Sequence, residues 1–248
     1  PRNISKALHY LSLAADKKQI DAQYKLGVLY EDDENPFKNI KKAIHYYSLA
    51  SNQGDARAQV NLGTLYINGK YFPADVDKAI HYYSLAAKQG FADAYFNLGL
   101  IHHYGDCGYV DIKKAIDYYL LAAKQNHSGS FFNLGIIYEF KDVDKAIYYY
   151  SLASDLNYVE AQQKLGLIYL LGKIVSRDID KGLHYLTLAA KQNYADAQFN
   201  LGLIYEEGEY VSKDIKRAIN YFSLAANQNH PIAQLKLGVY YLVGGIVS

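Results

Sequence analysis

Ala197-Gln198-Phe199-Asn200-Leu201-Gly202, with Tyr205 three residues on, is one of seven versions of the same phrase in this chain. Its Leu-Gly pair recurs at Leu26-Gly27, Leu62-Gly63, Leu98-Gly99, Leu134-Gly135, Leu165-Gly166 and Leu237-Gly238, so the glycines step by 36 residues except once, where the step is 31. A second marker, Lys or Arg followed by Ala, falls at Ala7, Ala43, Ala79, Ala115, Ala146 and Ala218, with Gly182 in the remaining place, and it carries the same single short step. A fixed period of this length signals a solenoid, whose units bury their apolar faces on one another.

Each period reads as two amphipathic helices. In helix A, Ala58, Leu62, Leu65 and Tyr66 share one face, and in helix B so do Ile40, Ala43, Ile44, Tyr47 and Ala50; both sets follow the 3.6-residue period. No stretch alternates long enough to compete as a strand. Helix B is preceded by Asn3, Asn39, Asp75, Asp111, Asp142, Asp178 and Asp214, all able to N-cap through a side-chain oxygen. It is followed by Gly54, Gly90, Asn126, Asn157, Asn193 and Asn229, with Lys18 as the exception; Gly and Asn tolerate the left-handed conformation that ends a helix. Pro231 sits where a first-turn proline belongs at the start of the last helix A. The repeat glycines lie in mid-helix, where glycine costs ~1 kcal/mol against alanine. Seven such glycines imply close helix–helix approach, with Ala43 and Ala50 playing the matching part on the partner helix. The expected fold is all-α: a right-handed α/α superhelix of about seven two-helix repeats, one continuous solenoid over residues 1–248.

Half of the residues are hydrophobic, which is enough for a continuous core. Lys plus Arg number 26 against 25 Asp plus Glu, so the net charge is +1 and no basic stripe marks a nucleic-acid or anionic-membrane surface. No apolar run reaches the ~18 residues of a membrane span, and no signal peptide opens the chain. The single cysteine, Cys107, leaves no internal disulfide framework, which favours a reducing compartment such as the cytoplasm. Asn3-Ile4-Ser5 and Asn126-His127-Ser128 match the glycosylation triplet, a frequency expected by chance in an Asn-rich chain.

Ala197, Leu201-Gly202, Tyr205, Gly208, Asp214, Arg217-Ala218 and Ala225-Ala226 together resemble the Sel-one-like repeat family, close kin of the tetratricopeptide repeats, and the resemblance covers essentially the whole chain. It departs from the family in four ways. Tyr46, Tyr82, Tyr118, Tyr149, Tyr185 and Tyr221 stand where the family usually has Trp. His102 replaces the helix-A tyrosine once. The loop after Tyr138 lacks five residues and its glycine, which predicts a local change of superhelix pitch. The cysteine pairs of the family's secreted branch are missing. The resemblance implies a non-catalytic adaptor that binds a protein or extended peptide, with helix A lining the concave side. Residues 4–15 form a helix B, the last helix is an A, and Val247-Ser248 match Val211-Ser212, which lead into a helix B. A segment of a longer protein is therefore expected.

Two residues before each repeat glycine stand Lys25, Asn61, Asn97, Asn133, Lys164, Asn200 and Lys236. One residue after stand Val28, Thr64, Leu100, Ile136, Leu167, Leu203 and Val239, and five after stand Asp32, Asn68, Tyr104, Phe140, Leu171, Glu207 and Val243. These positions make one stripe beside the core stripe. An Asn side chain offers donor and acceptor, so the first row predicts a ladder for the backbone of an extended peptide, with lysines favouring acidic segments; a tolerated polar residue copied by duplication would leave the same pattern. His9, His45, His81 and His184 recur at one place in helix B, a repeat or more apart and too distant to share one metal ion. His102, His103, Asp106 and Cys107 cluster, but neighbouring helical residues diverge by ~100°, so neither a metal nor a cofactor is expected. Most of the 27 tyrosines fall on core positions such as Tyr47, Tyr66 and Tyr83 rather than forming a base-stacking platform. No catalytic motif is present, so no enzyme activity is expected of this chain. Two alternatives remain: the regulatory arm of a multidomain signalling enzyme such as a kinase, and an RNA-binding helical repeat like the pentatricopeptide proteins, which share a similar period but not the neutral charge. The sequence leaves the oligomeric state open.

Overall fold

The computed structural model describes residues 3–106, 108 and 110–243. They form fourteen α-helices and no strand, which is the expected class. The B helices are α1 (Ile4–Asp16), α3 (Ile40–Asn52), α5 (Val76–Lys88), α7 (Ile112–Ala123), α9 (Val143–Asp155), α11 (Ile179–Lys191) and α13 (Ile215–Ala226). The A helices are α2 (Ile20–Glu31), α4 (Ala56–Ile67), α6 (Ala92–Tyr104), α8 (Ser128–Tyr138), α10 (Val159–Leu171), α12 (Ala195–Glu207) and α14 (Pro231–Val243). Two compact units emerge, Pro1–His127 and Ser128–Ser248. In each, an A helix packs most extensively on the B helix that follows it and less on the B helix before it. No described helix is long and apolar enough to cross a membrane.

The helix ends follow the punctuation. Asn3, Asn39, Asp75, Asp111, Asp142, Asp178 and Asp214 each accept a hydrogen bond from the backbone N–H three residues on, at 2.9–3.1 Å. Their own backbone N–H groups from Asn39 onward return to the end of helix A; Asp75 N, for example, reaches the Tyr66 carbonyl at 2.8 Å. The short loop keeps this closure, with Asp142 N on the Tyr138 carbonyl at 2.8 Å. At the other end Asn126, Asn157, Asn193 and Asn229 sit at φ of 58–64°. Lys18 is an exception in residue type only: it adopts the same left-handed conformation, at φ 62°.

Six of the seven repeat glycines sit at close approaches, as their cost implied, and Gly238 does not; what meets five of them is a ring rather than an alanine. A Cβ on Gly63 would lie 2.6 Å from the Tyr83 ring, on Gly99 2.5 Å from Tyr119, on Gly135 2.5 Å from Tyr150 and on Gly202 2.5 Å from Phe222; Gly27 faces Tyr47 in the same way. These aromatic residues of helix B are fully buried wedges, and Ala43, Ala50 and their equivalents are fully buried beside them. The fifth hairpin breaks the pattern twice, with Leu186 as the wedge and Gly182 in place of alanine. A Cβ on Gly166 would meet the Leu186 backbone N at 3.0 Å, and one on Gly182 the Leu170 backbone N at 3.0 Å. A smaller wedge lets α10 and α11 close up until an alanine no longer fits, so the two substitutions answer each other.

A second aromatic layer lies outside the wedges. Tyr30 stacks on Tyr46 with centroids 5.8 Å apart, Tyr66 on Tyr82 at 5.7 Å, Tyr169 on Tyr185 at 6.1 Å and Tyr205 on Tyr221 at 5.8 Å. His102 takes the tyrosine's place against Tyr118 at 5.7 Å. In the short hairpin Tyr138 and Tyr149 still stack at 5.8 Å, tilted by 21°. Losing five loop residues thus leaves that hairpin's internal packing intact.

Candidate binding surface

The wedge hydroxyls emerge on the helix-A side, and there they meet the residues expected to form a ladder. Tyr47 donates to Glu31 Oε2 at 2.7 Å and accepts from Asn61 Nδ2 at 2.9 Å. Tyr150 donates to Glu139 Oε2 at 2.8 Å, while Lys164 pairs with Glu139 Oε1 at 3.0 Å. Phe222 has no hydroxyl, and there Lys236 pairs with Glu206 directly at 2.6 Å. In these places the ladder residue of one repeat ties back to an acid closing the previous helix A. Burial holds the Tyr47, Tyr119 and Tyr150 phenols well above their ordinary pKa, so they stay protonated donors.

The other ladder residues sit differently. Asn97 and Asn133 each donate the amide N–H to a carbonyl one turn back in their own helix, Asp93 and Gly129, both at 2.9 Å. Asn133 is buried as well. Lys25 is exposed and pairs with Asp21 at 3.6 Å. Asn200 is half-buried and makes no side-chain hydrogen bond among the described residues. An Asn that gives up one N–H keeps its carbonyl oxygen as an acceptor. The apolar rows beside the ladder are accessible: Val28 is 40% exposed, Tyr104 61%, Phe140 91%, Leu171 41% and Val239 51%.

A repeated amide arrangement that sequence reasoning missed lies one turn earlier on helix A. Buried Gln23, Gln59, Gln162 and Gln198 donate to carbonyls in the last turn of the preceding helix B, Ala15, Ser51, Ser154 and Ala190, at 3.2–3.4 Å. Each also accepts from a glutamine at the end of the following helix B, Gln53, Gln89, Gln192 or Gln228, at 2.7–2.9 Å. Where the position is Tyr95, Gln125 reaches straight back to the Gly90 carbonyl at 2.7 Å. The strut gives each of these helix-end carbonyls a second donor, beside the backbone N–H three residues on that already reaches it. Its signal was present in the sequence, since a residue four before the notch glycine shares that glycine's buried face.

The histidines of the two donor clusters lie against tyrosines. His9, His45, His81 and His184 are exposed, each edge-on to the next tyrosine. His102 and His103 diverge, the first onto Tyr118 and the second to the Tyr119 hydroxyl at 3.2 Å. Cys107 lies outside the described residues, and among those described no group of three His, Cys, Asp or Glu side chains is placed to hold a metal.

The ladder and its apolar neighbours converge in the second unit. Lys164, Leu167, Ile168 and Leu171 of α10, Lys173 and Ile174 just after it, and Glu139 and Phe140 of the short loop line an open cleft of about 290 Å³. Three of these, Lys164, Leu167 and Leu171, are stripe positions of one repeat, and Phe140 is the outer stripe position of the repeat before.

Sel1 repeats match residues 1–18, 20–55, 56–91, 92–127, 129–158, 159–194, 195–230 and 231–248. The chain belongs to the Sel1 repeat family. Six of the Sel1 repeats hold a complete A–B hairpin, the first holds α1 alone and the last α14 alone. No curated protein matches the chain. Among solved structures it is similar to a protective antigen of uropathogenic Escherichia coli displaying an SLR fold, with 28% identity and a TM-score of 0.79 over 97% of this chain and 53% of the antigen. The chain thus spans about half of that antigen's length. It is also similar to a Sel1 repeat protein of Oxalobacter formigenes, with 28% identity and a TM-score of 0.78 over 85% of this chain and 89% of that one. An immunity protein of Pseudomonas aeruginosa shares the fold, at 24% identity and a TM-score of 0.59 over 84% of this chain and 81% of its own. Sel1 repeat proteins are in general non-catalytic protein-interaction scaffolds.

Proposed function

We propose that this chain is a protein-interaction scaffold that takes a segment of its partner along the exposed stripe of its A helices. The cleft between the short loop and α10 carries the reading, because there an apolar patch and polar stripe residues meet in a concavity. The ladder acts as a mixed surface: Asn97 and Asn200 offer free carbonyl oxygens to a peptide backbone, whereas Asn61, Lys164 and Lys236 are anchored by the wedge hydroxyls or their acids. Anchoring fixes their rotamers, so less side-chain entropy is lost when a partner binds. The apolar stripe residues supply contact area, and in such surfaces a few buried anchors dominate affinity.

The test uses a partner obtained by affinity purification and then produced pure. Aspartate substitutions at exposed stripe positions, Val28→Asp and Tyr104→Asp in the first unit and Leu171→Asp in the second, are compared with Tyr10→Asp and Tyr148→Asp on the B helices, which are 66% and 59% exposed. Loss of affinity with the first set and not the second supports the reading. Loss with the second set alone assigns binding to the other face and ends it.

A further inference from the structure

The cleft beside α10 has a composition that selects its occupant. We propose that it is an anchor pocket for one bulky apolar side chain of a partner peptide, flanked in that peptide by carboxylates. This rests on the scaffold reading and names the chemistry that one part of the surface recognises.

The pocket lies between the short loop and α10. In the 36-residue hairpin α4–α5 the loop lays Phe72 against Tyr66, with centroids 5.3 Å apart. The loop between α8 and α9 is five residues shorter and has no counterpart to Phe72. Phe140, in that short loop, stands 91% exposed and lines the cleft together with Leu167, Ile168, Leu171 and Ile174. An exposed phenylalanine over an aliphatic floor is a surface that gains by being covered. Sites for small organic ligands begin at roughly 300 Å³. The cleft's volume of about 290 Å³, open to solvent, lies at that lower bound and has room for one large side chain.

The rim sets the charge. Both oxygens of Glu139 are engaged, one by Tyr150 and one by Lys164, so its carboxylate is neutralised within the protein. Lys164 spends one of its ammonium donors on Glu139 and retains the others. Lys173 pairs with no carboxylate among the described residues and lies exposed at the rim. Lys164 and Glu139 cancel in charge, so Lys173 leaves the rim net positive by one around an apolar floor, complementary to an acidic segment carrying an apolar anchor.

The experiment measures fluorescence anisotropy of fluorescein-labelled pentapeptides at low salt with the full chain: Asp-Glu-Phe-Glu-Asp, the same peptide with Leu or Ala at its centre, and Lys-Lys-Phe-Lys-Lys. The Phe or Leu acidic peptide is expected to bind saturably, with Ala at the centre weakening it at least tenfold and the basic peptide binding worse still. Phe140→Ala and Lys173→Glu change exposed side chains, so the fold is expected to stay intact by circular dichroism. Phe140→Ala should weaken the acidic peptide about tenfold. Lys173→Glu should weaken it while improving the basic one. Absence of saturable binding, equal binding of acidic and basic peptides, or indifference to Phe140→Ala overturns the pocket. So does capture of dodecanoate with no capture of peptide, which would make it a lipid site. A purified partner still sensitive to Val28→Asp and Tyr104→Asp would keep the scaffold reading standing while the pocket alone falls.

Discussion

Replacing Gly99 by alanine adds one methyl group, and the result reports directly on the wedge packing. In an unconstrained helix the change stabilises by up to ~1 kcal/mol. Here the new Cβ would sit 2.5 and 2.6 Å from two atoms of the Tyr119 ring, inside any van der Waals contact. The ring is fully buried between helices, so it has no free rotamer into which to retreat. Overpacking of this kind costs ~1–3 kcal/mol, which outweighs the propensity gain, and leucine extends the clash further. Gly238 is the internal control: it stands in the same phrase of α14, but no atom lies within 4 Å of a Cβ built there. The assay is urea unfolding followed by circular dichroism at 222 nm. Gly99→Ala should lower the midpoint, and Gly99→Leu should lower it more. Gly238→Ala should leave the midpoint unchanged or raise it. Equal behaviour of Gly99→Ala and Gly238→Ala would refute the notch-and-wedge account, because a ring fills the notch at the first site and nothing fills it at the second.

Three further outcomes are expected. Gly182→Ala and Leu186→Tyr each cost ~1–3 kcal/mol by overpacking α10 against α11; a double-mutant cycle checks whether they couple by ~0.5 kcal/mol or more, as residues sharing one crossing do. Lys18→Gly should stabilise by ~1 kcal/mol, since Lys18 holds φ 62° and left-handed backbone costs an L residue ~1–2 kcal/mol; an unchanged or lower urea midpoint contradicts this. The third concerns pH. Burial lowers the pKa of His102, His103 and His127 below the ordinary 6.5. The neutral form is therefore the one the fold prefers, so stability is full above pH 6.5 and declines as pH falls from there toward the depressed folded values, where protons bind the unfolded chain first. Urea midpoints at pH 7.5, 6.5 and 5.5 should fall in that order, and a flat series would exclude the effect.

The fold was legible because its signals are backbone signals repeated at a fixed period. Seven N-cap residues, the left-handed helix ends and the notch glycines state local conformations that a neighbouring repeat corroborates, so Asp142 could be placed even across the shortened loop. What the pattern left open was the identity of each contact. Gly99 announced a close approach but not that the filler is the Tyr119 ring. Gln59 shared its face with Gly63, yet its amide character pointed toward solvent until its partners, the Ser51 carbonyl and Gln89, were in place. The ladder shows the same limit more sharply. Asn61, Asn97 and Asn133 are identical in sequence register, but one meets a tyrosine hydroxyl and two bond their own helix. The cleft was the least visible feature. It lies beside the shortened loop, and the spacing shows how many residues that loop lacks, not which side chains gather next to it.

Amide hydrogen–deuterium exchange on the chain with and without its purified partner tests the proposed binding face most directly. The account predicts new protection along the exposed stripes of the A helices, including the short loop around Phe140 and the end of α10, with the exposed His45, His81 and His184 faces of α3, α5 and α11 unchanged. Protection confined to those B-helix faces, with the A helices exchanging as before, would contradict it.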